Sequence, residues 1–96
     1  MHVAVCRLTL HIYASQSLKD RRRVVLAVCE RLRNKFRISV AEVGGQDTWQ
    51  TAAIGIAAVS ADGSRARELV ERAAAYAQEI APEAEVTASE IDLFDY

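Results

Sequence analysis

The chain has little of what most small-protein chemistries require. It contains two cysteines among 96 residues. Cys6 and Cys29 show no CxxC spacing and no histidine-rich neighbourhood, so metal or redox use is not expected and both read as buried free thiols. Four glycines leave no phosphate-cradling loop, because Gly44-Gly45 is not followed by Gly-Lys-Ser/Thr. The N-terminal Met1-His2-Val3-Ala4-Val5-Cys6-Arg7 lacks the regions of a signal peptide. No stretch reaches the roughly 18 uncharged apolar residues of a membrane span. A cytoplasmic protein without a membrane partner is expected. Catalytic groups are equally sparse: His2, His11, Glu42, Asp47 and the serines are scattered over separate elements without motif spacing. No cofactor, metal or catalytic residue is assigned, and a non-catalytic role is expected. A site assembled across an oligomer would leave no such trace.

What is present is charge of both signs, unevenly placed. Residues 1–60 carry nine Lys/Arg against four Asp/Glu and residues 61–96 carry three against nine, so a net charge of −1 conceals halves of +5 and −6. Such asymmetry suits an anionic partner for the basic half, or mutual satisfaction of the halves within or between chains.

Hydrophobic content of 51% suffices for one domain with a core, residues 1–96, and the length is too short for two. Val3 to Tyr13 alternates, with Ala4, Cys6, Leu8, Leu10 and Ile12 on one face, predicting a long strand. Ser17 and Asp20 form a capping-box-like start for a helix from Leu18 to about Phe36. Its core face gathers Leu18, Val25, Val28, Cys29, Leu32 and Phe36, with Val24 at the margin. Ile38 to Val43 predicts a second strand, Gly44 to Thr48 a turn, and Thr51 to Val59 a third strand apolar enough to need cover on both faces. A second helix runs from about Ala66 to Ile80 and stops at Pro82. Val86 to about Phe94 reads as the last strand, but its apolar phase shifts between Val86 and Ile91.

The order β-α-β-β-α-β predicts an α+β, ferredoxin-like sandwich: a four-stranded antiparallel sheet with two helices on one face. The other face would then expose Val3, Val5 and half of the third strand. Monomers seldom leave a large apolar patch in water, so a C2 homodimer is expected. Trp49 is the sole tryptophan, and it either anchors such an interface or pins its loop to the core.

The start of the first helix carries Lys19, Arg21, Arg22 and Arg23, where the helix dipole and unpaired N–H groups disfavour cations and favour an anion. In projection down the axis Lys19, Arg22, Arg23, Arg33 and Arg37 share one sector, with Leu26 inside it and Glu30 interrupting it. Leu26 either touches a partner or, as expected, lies on the flank of the core. Arg21 turns toward the margin of the core and, with Arg31 and Lys35, is expected to be an ordinary solvated charge. The strands lack the aromatic platform on which ferredoxin-like sheets stack RNA bases, offering only His11 and Tyr13 near the end of the first. Any nucleic-acid contact is therefore expected on the basic helix, with phosphates rather than bases.

Met1 to Leu10, Ser17-Leu18-Lys19-Asp20-Arg21-Arg22, and Ser39-Val40-Ala41-Glu42-Val43 followed by Gln46-Asp47-Thr48-Trp49-Gln50 together resemble the YlxP-like family of small bacterial proteins of unknown function. The resemblance spans nearly the whole chain and implies a cytoplasmic ferredoxin-like domain with a ribosome- or RNA-associated role. The chain departs from that pattern at its end, where Ile91-Asp92-Leu93-Phe94-Asp95-Tyr96 adds an acidic, aromatic segment. The leading expectation is a non-catalytic dimeric module that binds RNA or the ribosome through Lys19, Arg22, Arg23, Arg33 and Arg37. The alternative is a protein-interaction or small-ligand module that works through the apolar sheet face with Val3, Val5 and Trp49.

Overall fold

Six elements follow one another in a computed structural model of the chain: β1 (His2–Ile12), α1 (Leu18–Lys35), β2 (Ser39–Gly44), β3 (Thr51–Ser60), α2 (Gly63–Ile80) and β4 (Ala84–Asp95). The structure describes residues 1–13, 16–45, 50–81 and 83–96. Trp49 and Asp47, and with Trp49 its expected interface role, lie outside the described residues, as does Pro82. The sheet order is β2-β3-β1-β4, with every neighbouring pair antiparallel. This is the ferredoxin-like plan of two split βαβ units.

Alternation in β1 decides which face becomes the core. Ala4, Cys6, Leu8, Leu10 and Ile12 are all buried, and together with Ile54, Ile56 and Ala58 of β3 they form the floor on which both helices rest. Val25, Val28, Cys29 and Leu32 reach it from α1, Ala66, Val70, Ala73 and Ala77 from α2. The small side chains of α2 bring its backbone close over β1, β3 and β4, while α1 covers β2. Fully burying a Leu, Ile or Val side chain of this kind contributes about 1.5–3 kcal/mol.

Ser17 starts α1 by accepting from the Asp20 N–H at 3.1 Å, as its capping position predicts. Asp62 does the same for α2, accepting from the Ser64 N–H at 2.9 Å, so α2 begins at Gly63, one turn before its first buried residue, Ala66. Leu18, assigned to the core face by its angle, is 41% exposed, and the first core contacts of α1 come from Val24 and Val25.

A β-bulge resolves the phase shift in β4. Thr9 pairs with Ala88 and Leu10 with Val86, so Thr87 is the extra residue, and its hydroxyl donates to the Thr9 carbonyl at 3.3 Å. Val86, Ile91 and Leu93 consequently all face the helices although odd and even positions are mixed. The acidic, aromatic segment from Ile91 is the second half of this strand, paired with residues 2–6 of β1.

Neither helix covers the opposite face. Val59, Val3 and Phe94 stand abreast across β3, β1 and β4, with Ala57 and Val5 one pair further along. A second bulge, at Val43 between Glu42 and Gly44, lays the Val43 side chain over Gly55, where an added Cβ would meet Val43 Cγ1 at 2.8 Å. Val5, Ala41, Val43 and Ala57 line a shallow apolar depression of about 330 Å³ on this face. The expectation that β3 is covered on both faces is met on one side only. Outward, β3 presents Thr51, Ala53, Gly55, Ala57 and Val59, and Val59 is 64% exposed.

Candidate nucleic-acid interface

The four cations at the start of α1 do not act together. Arg21 is 3% exposed and points into the protein. Its Nε donates to the Thr51 carbonyl at 2.9 Å, and one terminal nitrogen donates to the Gly45 carbonyl at 2.6 Å and to the Glu42 carboxylate. The expected solvated charge is therefore a buried structural one. The reason is placement: the first turn of α1 sits beside the end of β2 and the start of β3, where Glu42 and the Gly45 and Thr51 carbonyls converge on Arg21. A guanidinium presents donors in a fixed fork that such a set of acceptors can fill.

Lys19, Arg22 and Arg23 remain outside, flanking a groove of about 480 Å³ whose floor is Leu26 and Ala27, with Asp20 and Glu30 at its rim. Leu26 is 53% exposed, so it belongs to the surface groove and not to the flank of the core. Arg23 also forms an ion pair with Glu83 at 3.1 Å; both side chains are exposed, and such a pair adds little to stability. Lys19 and Arg22 form no ion pair among the described residues.

The rest of the predicted sector separates along the axis. Arg33 donates to the Val40 carbonyl at 2.8 Å, spending one nitrogen on the edge strand β2. Arg37 opens onto a different hollow of about 540 Å³ that it shares with Arg65 and Arg72 of α2. Sequence periodicity missed Arg65 and Arg72 as companions of Arg37, because they lie on another helix; their seven-residue spacing on one face was the available signal. Lys35 packs over the Tyr76 ring at 4.5 Å and Arg72 over the Phe36 ring at 5.9 Å, so aromatic contacts between α1 and α2 orient cations at this end.

The open sheet face carries Arg7, Thr9 and His11 beyond its apolar band, and His11 meets Tyr13 edge-to-face at 5.1 Å between ring centroids. Tyr13 donates to the Glu85 carboxylate, which pushes its phenol pKa up. Burial pushes the thiols of Cys6 and Cys29 up as well, outweighing the Cys6–Ser89 contact at 3.6 Å and the nearby Arg33 charge at Cys29. Both thiols are buried and free. No cluster of three metal-ligating side chains occurs among the described residues, and no described helix is long and apolar enough to cross a membrane.

Fold and surface together define a ferredoxin-like α+β domain with one basic helix and one uncovered sheet face. The chain belongs to the family of proteins of unknown function designated DUF503, whose family model matches residues 3–91. It is 39% identical over 83 residues to the uncharacterized protein YlxP of Bacillus subtilis (strain 168), covering 86% of this chain and 89% of that one. The match to the family stops just before Asp92, and the residues beyond it extend β4. Among solved structures, the de novo designed protein Foldit4 shares the fold with a TM-score of 0.53 and 15% identity, over 100% of this chain and 99% of that one. A dimeric ferredoxin-like protein of unknown function from Thermobifida fusca aligns with a TM-score of 0.43 and 15% identity, over 98% of this chain and 92% of that one.

Proposed function

We propose that this protein is a non-catalytic module that binds RNA, free or within the ribosome, through phosphate contacts made by α1. One observation carries the reading: Lys19, Arg22 and Arg23 stand exposed around a groove on a helix whose solvent side bears Arg31, Arg33 and Lys35, with Arg37 just past its end, against Glu30 and a partly covered Asp20. Cations at a helix start work against the backbone dipole. A surface that keeps them there suits an anionic partner better than it suits helix stability. Base stacking has no support, since the outward positions of β1 and β3 offer His11 and no Phe, Tyr or Trp. Recognition through phosphates alone is tolerant of sequence and steeply dependent on salt.

Electrophoretic mobility shifts with structured and single-stranded RNA, run at low and moderate salt, test this. The Lys19→Glu/Arg22→Glu variant, which breaks no ion pair among the described residues, is expected to weaken binding about tenfold or more at low salt. Binding by this variant at the wild-type level would remove α1 as the contact surface.

The same proposal joins two copies through their open sheet faces as a homodimer. Val59, Phe94 and Val43 are 64%, 55% and 48% exposed there, beside the half-buried Val3 and Val5. A contiguous apolar band of this kind is what a C2 interface covers. The basic helices would then lie on the two outer surfaces of the pair.

A further inference from the structure

The hollow at the far end of α1 from Lys19 and Arg22 is lined by Arg37, Arg65, Arg72, Glu68, Leu69 and Ser60. Arg65 and Arg72 are two helical turns apart on one face of α2, and Glu68 and Leu69 lie between them on that face. Arg37 enters from the α1–β2 connection. Three guanidinium side chains thus open onto one space with a single carboxylate among its lining residues. None of the three forms an ion pair among the described residues. Arg72 is held over the Phe36 ring, which keeps it on the α1 side of α2. Ser60 accepts from the Asp62 N–H at 3.0 Å, which leaves its O–H as a donor. The α2 N-terminus itself adds little, because Asp62 already takes the Ser64 N–H.

Like charges gathered around one hollow repel one another unless an anion enters. We infer that this hollow is a second phosphate-contact site, and that an RNA strand runs from the Lys19–Arg22 groove along α1 to Arg37, Arg65 and Arg72. This rests on the RNA-binding reading above and adds the second helix to it. The two patches lie at opposite ends of α1, with thirteen helical residues, about 20 Å, from Arg22 to the last helical residue Lys35.

Fluorescence anisotropy with a labelled 12-nucleotide oligouridine, at 50 and 200 mM salt, tests the inference on the full chain. Arg65→Gln is expected to weaken binding about 3- to 10-fold at the lower salt and to reduce the salt slope by about one. Arg67→Gln removes the same charge two residues away, outside the hollow, and is expected to stay within about twofold of wild type. Glu68→Gln removes the carboxylate of the hollow and is expected to tighten binding about 2- to 5-fold, a gain that misfolding cannot produce. Equal effects of Arg65→Gln and Arg67→Gln, or no gain from Glu68→Gln, would overturn the second site while leaving α1 as the contact surface. No oligouridine binding by the wild-type protein, with structured RNA still shifted by α1, would also overturn the single-strand path. No binding to any RNA would overturn both readings.

Discussion

Arg21 and Glu42, 21 residues apart in sequence, meet as a guanidinium–carboxylate pair beneath the start of α1, with the Arg21 side chain 4% and the Glu42 side chain 22% exposed. Removing one partner from such a pair leaves a charge without compensation, and the loss exceeds what the intact pair contributes. Arg21→Met is therefore expected to lower stability by about 3 kcal/mol, at the lower end of the range for buried pairs because Glu42 keeps some contact with water. The Arg21→Met/Glu42→Gln double variant should lose less than the sum of the two single variants. Urea denaturation measures all three. A loss below about 1 kcal/mol for Arg21→Met would mean that Glu42 is hydrated in solution.

The open sheet face predicts a second outcome. Val59→Lys/Phe94→Lys places two cations in the apolar band without touching the core, since both side chains are more than half exposed. Sedimentation equilibrium at micromolar concentration should find wild type as a dimer and the variant as a monomer with an unchanged circular dichroism spectrum. A monomeric wild type would leave the face without its proposed occupant.

The two thiols make an alkaline prediction. Burial raises both pKa values above that of an unfolded cysteine. The folded state therefore holds the thiol protons more tightly than the unfolded state does. That contribution to stability is complete below the ordinary thiol range and is lost as pH climbs through it toward the raised folded values, from about pH 8.5 upward. Thermal melts should fall between pH 8.5 and 10, and Cys6→Ala/Cys29→Ala should flatten that decline, whereas the Tyr13 phenol, whose pKa is raised from about 10, adds its own decline above that window. Iodoacetamide at pH 8 should label the native protein slowly and the urea-unfolded protein quickly. Rapid native labelling would show that one thiol opens to solvent without global unfolding.

Much of the fold could be read from periodicity alone. The alternation of Ala4 to Ile12 and the helical spacing of Val25, Val28, Cys29 and Leu32 assign their faces correctly, because burial of one face is what selects those patterns. Arg21 could not be read this way. An arginine enters the interior only when distant acceptors converge on it, and Glu42, Gly45 and Thr51 are brought together by the sheet. The basic sector was legible as an angle but not as a site. Projection down an axis discards height: Lys19 sits in the first turn of α1, and Arg37 lies beyond its last residue, Lys35, about 24 Å further along. Arg65 and Arg72 join Arg37 only through the packing of α2 against α1.

The bulge at Thr87 fixes where β4 can gain or lose a residue. A one-residue deletion between Ala88 and Leu93 would carry Glu90 or Asp92 onto the helix-facing side and turn Ile91 outward, because the side-chain period of a strand is two. At position 87 the ladder already accommodates one residue more than its partner strand. Length variation in this strand is therefore expected to concentrate at that single position, with every other register held by the cost of placing a carboxylate against α2.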